Sequence, residues 1–210
     1  EDVGATLPSR LHIDMTIQML RERGVRIDDS QPGRWVVSCG PIAARDVVIA
    51  PDLSNAAPFL AAAVITGGEV TVPNWPHATH QPGDRLRSIL EAFGGAATLT
   101  DHTLTVTGTG VVRGVDLDLA DVAELTPVIA ALASVARDKS RLRGIAHIRG
   151  HETDRLAALE AELNRLGSHV HQTDDGLIIH PRVLHGGEWR TYADHRMAHA
   201  GALLGLLVEG

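Results

Sequence analysis

Aromatic side chains are scarce in this sequence: two Phe, three Trp and one Tyr in 210 residues. A core of that kind must be built from Ala, Val, Leu and Ile, which suits helices packed closely on sheets. Cysteine is nearly absent as well. Cys39 stands alone, so no internal disulfide can form. A single thiol fits a reducing compartment, and a cytoplasmic location is the expectation. Long apolar runs are missing: nothing approaches the roughly 18 consecutive apolar residues that a membrane-spanning helix needs. There is no basic stripe or arginine-rich tail, and the formal net charge is −7. That sets nucleic acid aside as a partner, because binding to phosphate backbones is driven by clustered Lys and Arg. No His or Cys spacing matches a zinc site, no glycine-rich loop is built to cradle phosphate, and no G-x-S-x-G turn raises a nucleophile. No metal is expected.

What remains is an ordinary globular composition, 44% apolar and 21% charged, with an internal repeat of roughly seventy residues. Residues 11–20 have apolar side chains at helical spacing, and Gly24 follows as a cap. Val25-Arg26-Ile27 and Trp35-Val36-Val37 then read as strands about a polar turn. The order helix, glycine, strand, turn, strand recurs over residues 85–106 and again over 155–179. Between these units, Asp52 to Asn55 can cap a small-residue helix over 56–65, and 69–72 reads as a strand. Residues 115–119 alternate like a strand with one wet face, 126–136 form an alanine-rich helix, and 142–148 form a strand. The expected fold class is therefore α/β (α+β), with repeated β-α-β-α-β-β units over 45–108 and 115–180. A strand near Ile49 restarts the cycle, which puts a boundary at Pro51-Asp52. Glu1 to Gly4 reads as mid-chain loop and the chain breaks off just after a helix, so a piece of a longer protein is expected.

Two segments carry the chemistry. His151-Glu152-Thr153-Asp154-Arg155 and Tyr192-Ala193-Asp194-His195-Arg196-Met197 each place an arginine and a proton-carrying side chain at the opening of a helix. Helix N-termini favour anions. Arginine grips a carboxylate or phosphate in two places, and a glutamate with a histidine supplies acid and base. Taken singly, each residue has a plainer role: Glu152 and Asp154 as first-turn acids, Asp194 as an N-cap, Arg155 as a solvated cation, His195 as a packing histidine. Glu124, before the alanine helix, and Ser9 and His12, near the first helix, are weak signals alone. His169 and His171 alternate on a strand and are expected to be exposed.

The order Ser9, His12 to Thr16, Asp52 to Ala56, Glu124, His147 to Arg155 and Tyr192 to Met197 resembles the 3-phosphoshikimate 1-carboxyvinyltransferase (EPSP synthase) family over nearly the whole chain. That resemblance implies an enolpyruvyl transferase-like fold of two domains, residues 1–51 ending one and residues 52–210 forming most of the other. It implies transfer of the enolpyruvyl group of phosphoenolpyruvate to the 5-hydroxyl of shikimate 3-phosphate, with release of phosphate. Those two small molecules would be the partners, in a full-length monomer with no cofactor. Glu124 and Glu152 would be the acid–base pair. Arg155 and Arg196 would clamp the phosphoenolpyruvate carboxylate with His195 beside them. Ser9, His12, Glu124, His147 and His151 would meet shikimate 3-phosphate. Glu124 stands where the family often has Asp. His12, His147 and His151 stand where Tyr, Asn and Lys are common. The alternatives are a UDP-N-acetylglucosamine enolpyruvyl transferase, which shares the fold, and a non-catalytic domain that keeps it.

Overall fold

The computed structural model describes residue 7 and residues 10–210. Ser9 lies outside the described residues. The chain opens with helix α1 (Arg10–Arg21) and a short ribbon, β1 (Ile27–Asp28) paired antiparallel with β2 (Val36–Val37). An extended segment leads to α2 (Ala57–Thr66), β3 (Glu69–Pro73), α3 (Leu86–Ala92), β4 (Ala96–Thr100) and β5 (Thr103–Thr107). After these come β6 (Asp116–Asp118), α4 (Thr126–Ser134), β7 (Ser140–Arg143), α5 (Arg155–Arg165), β8 (His169–Gln172), β9 (Leu177–His180) and α6 (His195–Leu204). The fold is mixed α/β, as the sequence predicts.

The repeat is visible in the sheets. One has the order β3-β5-β4, antiparallel throughout, and the other β6-β7-β9-β8, with β6 parallel to β7 and the rest antiparallel. The second unit is a complete β-α-β-α-β-β, and β3, β5 and β4 stand where β7, β9 and β8 stand in it. The first unit lacks a counterpart of β6. The strand predicted near Ile49 does not form: Val48 is 96% exposed and Ile49 85% exposed, and the segment makes no ladder with β3. Apolar β-branched residues favour extended backbone, but a strand needs a partner for its N–H and C=O groups. The predicted strand over 142–148 is also shorter than expected. It ends at Arg143 because Gly144 takes a left-handed φ of 75°, and residues 146–150 turn as a single 3₁₀ segment before the first motif.

Helices α2, α4 and α6 pack side by side over the sheets. All nine residues of α4 are buried, which explains its alanine content: a helix enclosed on every side has no polar face, and small side chains let neighbours approach closely. Proline near its first turn costs nothing, since that N–H has no intrahelical partner. The same holds for Pro58 in α2. Four helices, α2, α4, α5 and α6, begin at the same end of the layer. Their preceding turns hold Ser54, Glu124, Glu152 and Asp194, and this common end is where the candidate site lies.

Candidate active site

A cleft of about 560 Å³ opens at this end. Its wall includes His12 from α1, Asp52 and Ser54 before α2, Glu124 before α4, His151, Glu152 and Arg155 at the start of α5, and His195 and Arg196 at the start of α6. The two motifs recognised in the sequence therefore meet, together with Glu124 and His12. Converging helix N-termini favour negative charge. Asp154 caps α5 by accepting the Ala157 N–H at 3.0 Å, and Asp194 caps α6 by accepting the Arg196 N–H at 2.8 Å. These caps fix the directions in which Arg155 and Arg196 leave their helices.

Arg155 is 1% exposed and Asp194 1% exposed. The pair is a two-point ion pair: Nε donates to Oδ2 at 2.7 Å and Nη2 to Oδ1 at 3.2 Å. Nη2 also donates to Glu152 Oε2 at 2.6 Å, and Nη1 lies 3.0 Å from His151 Nδ1. Arg155 is thus held by protein partners on all three nitrogens. Burial tends to raise the Asp194 pKa, but the hydrogen bonds from Arg155 and the Arg196 N–H outweigh it and hold the carboxyl below the usual Asp value. Arg196 is half-buried, and its Nη2 donates to Ser54 Oγ at 3.1 Å. Burial pushes its guanidinium below the usual arginine value, against the opposing pull of Glu124, Asp52 and Glu152. Its partner Ser54 is a neutral hydroxyl, so of the two arginines in the cleft Arg196 is the more available to a ligand.

The histidines divide. His12 lines the cleft with Nε2 3.6 Å from Glu124 Oε1, and His195 lines it at 4.0 Å from Asp194 Oδ1. His151 lines it too, and burial, then Arg155, lower its pKa. His147 sits one layer back, its ring centroid 5.9 Å from that of His151. Its Nε2 is buried without a partner, and burial lowers its pKa. His169 and His171 are exposed on β8, away from the cleft.

Sequence reasoning treated Asp194 only as a cap and missed its grip on Arg155. It also missed Ser54 and the turn at Gln81 to Gly83. Gln81 accepts the Leu53 N–H at 3.1 Å and donates to the Pro51 carbonyl at 2.9 Å, tying the floor of the cleft together. At Gly83 a Cβ would stand 2.9 Å from Ser54 N and 3.0 Å from Leu53 Cβ, so the residue must be small. No local pattern marks these residues, because their partners lie some thirty residues away. Among the described residues no cluster of three His, Cys, Asp or Glu could hold a metal ion, and no helix is long and apolar enough to cross a membrane.

The family model for EPSP synthase (3-phosphoshikimate 1-carboxyvinyltransferase) matches residues 3–210. The chain belongs to the EPSP synthase family. Among solved structures, it is similar to an EPSP synthase from Acinetobacter baumannii with a TM-score of 0.79 and 23% identity, over 93% of this chain and 48% of that one. A second structure of that enzyme gives 0.72 and 22% over the same shares. The enolpyruvyl transferase NikO from Streptomyces tendae gives 0.66 and 19%, over 96% of this chain and 47% of that one. The likeness to these structures is one of fold, and the chain spans about half the length of each.

Proposed function

We propose that this chain supplies one wall of an EPSP synthase active site, and that the whole protein transfers the enolpyruvyl group of phosphoenolpyruvate to the 5-hydroxyl of shikimate 3-phosphate. The observation that carries this reading is the meeting of Glu124, Glu152, Arg155 and Arg196 in one cleft of a family member. Residues 1–51 are read as the end of one domain and 52–210 as most of the other. The reaction and its substrates come from the family, and the roles below assign its steps to the side chains in the cleft.

Glu124 takes the proton of the acceptor hydroxyl as its oxygen attacks C2 of phosphoenolpyruvate, and Glu152 delivers a proton to the C3 methylene. The adduct then collapses: C3 returns its proton to Glu152, the C2–O bond to phosphate breaks, and phosphate leaves with the proton that Glu124 had taken. Arg196 meets the substrate carboxylate. Arg155 joins it by exchange: the incoming carboxylate replaces Glu152 on Nη2, which frees Glu152 for proton transfer. Asp194 stays in place and keeps the buried guanidinium paired. This wall holds two arginines against four carboxylates, Asp52, Glu124, Glu152 and Asp194. Two anionic substrates therefore need further cations, and the other half of the full-length relatives is the place for them. His12, His147 and His151 stand where the family commonly carries other residues. The second reading is an enolpyruvyl transferase with another hydroxyl acceptor such as UDP-N-acetylglucosamine, and the Glu152-Thr153-Asp154-Arg155 and Asp194-His195-Arg196 pair favours the first.

The test uses the full-length protein. Arg196→Ala is expected to weaken phosphoenolpyruvate binding by about 2–4 kcal/mol, the loss of a charge-assisted pair in a closed site, with shikimate 3-phosphate bound as before. Glu152→Gln is expected to keep both affinities and lose turnover. Titration calorimetry and steady-state kinetics decide. Unchanged phosphoenolpyruvate affinity in Arg196→Ala would remove the carboxylate assignment. Turnover with UDP-N-acetylglucosamine and none with shikimate 3-phosphate would favour the second reading.

A further inference from the structure

Glu162 is fully buried, carries a carboxylate, and lies outside the cleft. It projects from α5 seven residues after Arg155, about 10.5 Å along the axis and on the same face. Its partners lie in the segment that delivers the second motif. Oε1 accepts the Tyr192 hydroxyl at 2.6 Å, and Oε2 accepts the Arg190 N–H at 3.0 Å. Arg165 approaches the same carboxylate at 3.3 Å from the next turn of α5.

Residues 189–194 are thus strapped between two helices. On the α5 side the attachments are Glu162 at Arg190 and Tyr192, and Arg155 at Asp194. On the α6 side the Trp189 indole N–H donates to the Met197 carbonyl at 2.8 Å, and its ring fills the space where a Cβ on Gly201 would stand. Inside the strap, Tyr192 and Ala193 both have φ of 56°. Two consecutive left-handed residues that are not glycine are costly, and they persist where surrounding contacts over-determine them. The residue that follows is Asp194, whose carboxylate holds the Arg155 guanidinium and caps the helix that starts with His195 and Arg196.

We propose that Glu162 and Tyr192 are positioning residues: together they hold the left-handed Tyr192–Ala193 turn and so set Asp194, which aims Arg155 and the start of α6 with Arg196. Neither residue touches the cleft. They act through the turn, and the ligand they serve, phosphoenolpyruvate, rests on the function proposed above. Loosening the strap swings Asp194 away from Arg155 and frees Arg196 to move with the first turn of α6. On the acceptor side, Glu124 and His12 are reached through other elements, and only His151, beside Arg155 Nη1, is linked to the clamp.

The experiment compares full-length wild type, Tyr192→Phe, Glu162→Gln and the double variant Tyr192→Phe/Ala193→Gly. Backbone hydrogen exchange over residues 190–198 gives one readout, and the KM for each substrate another. Tyr192→Phe is expected to speed exchange in that segment about tenfold, with the rest of the protein unchanged. It is expected to raise the KM for phosphoenolpyruvate by about fivefold to tenfold, the effect of losing one hydrogen bond to a charged acceptor. The KM for the acceptor rises much less, since His151 alone links its contacts to the clamp. Glu162→Gln, whose single amide oxygen cannot accept from both the Tyr192 hydroxyl and the Arg190 N–H, shows a shift of the same kind. Ala193→Gly in the Tyr192→Phe background recovers most of the loss, because glycine adopts the left-handed turn without the strap. A purely structural role predicts the opposite for that double variant, a further fall in stability and activity. Unchanged exchange in Tyr192→Phe, or equal rises in both KM values, overturns the proposal. If wild type fails to bind phosphoenolpyruvate, the proposed function falls, and exchange in the variants still decides whether the strap holds the turn.

Discussion

At Arg155 the structure of the wall and its proposed chemistry meet. Arg155 is a charge with almost no solvent contact, and it is kept tolerable by two carboxylates, the buried Asp194, which accepts from two of its nitrogens, and the half-exposed Glu152. Asp194→Ala is therefore expected to destabilise the fold by about 3–5 kcal/mol, the cost of breaking a buried ion pair, since Glu152 reaches only Nη2. Asp194→Asn, which keeps one acceptor and the cap, should lose less. Denaturant unfolding of the two variants checks the order. Equal stability for Asp194→Ala and wild type would mean that Arg155 finds water or another partner. The placement of Glu152, Arg155, His195 and Arg196 was legible in the sequence because each lies at, or within three residues of, a helix start. The engagement of Arg155 was not legible. Its main partner is 39 residues away, and nothing in either segment says that the two face each other.

Several element boundaries followed local signals in the sequence, whereas the strand expected over 142–148 ended early, before Gly144. The helices at 10–21, 57–66 and 155–165 end close to where glycines or apolar spacing place them, and the antiparallel ladder of β4 with β5 matches an alternating pattern about Asp101-His102. The strand near Ile49 failed for the opposite reason: its apolar content was readable, and the presence of a partner strand was not. The turn before α2 makes the same point energetically. Gly83 admits the backbone of Leu53 and Ser54 at a distance no side chain allows. Gly83→Ala is expected to cost about 1–3 kcal/mol, since rigid backbone has to move, and to shift Ser54 away from Arg196. A melting curve would register the first effect. A parallel loss of anion binding at Arg196, absent from a control such as Gly150→Ala in open space, would register the second.

Across the molecule, acid should unfold the chain in two stages. Burial holds His147 and His151 below the ordinary histidine value of 6.5, so the unfolded chain takes up their protons first. Their contribution is complete above that value and falls as the pH drops below it. Asp194 is held below its ordinary 3.8 by Arg155, despite burial, so its contribution is complete above 3.8 and falls only at lower pH. Thermal melts from pH 7 to pH 3 should show both declines, and His147→Gln should flatten the upper one. A flat profile between pH 7 and pH 5 in the wild type would contradict the first assignment.

The last expectation concerns catalysis by the chain on its own. Effective reaction requires both substrates in near-attack geometry. Here one wall offers a half-buried arginine, a second arginine committed to Asp194 and Glu152, and more carboxylate than cation. Burial in the completed site would strengthen the pull of Arg196 on an anion, while an open wall leaves that pull to solvent screening. The 210-residue chain is therefore expected to release no measurable phosphate from shikimate 3-phosphate and phosphoenolpyruvate. It is also expected to bind phosphoenolpyruvate weakly, with an affinity that fades as salt is added. Adding the remaining part of the full-length protein as a separate chain should restore turnover if the two parts can associate. Phosphate release by the isolated chain at a rate near that of the full-length protein would show that this wall is sufficient, and the two-walled reading of the site would be wrong.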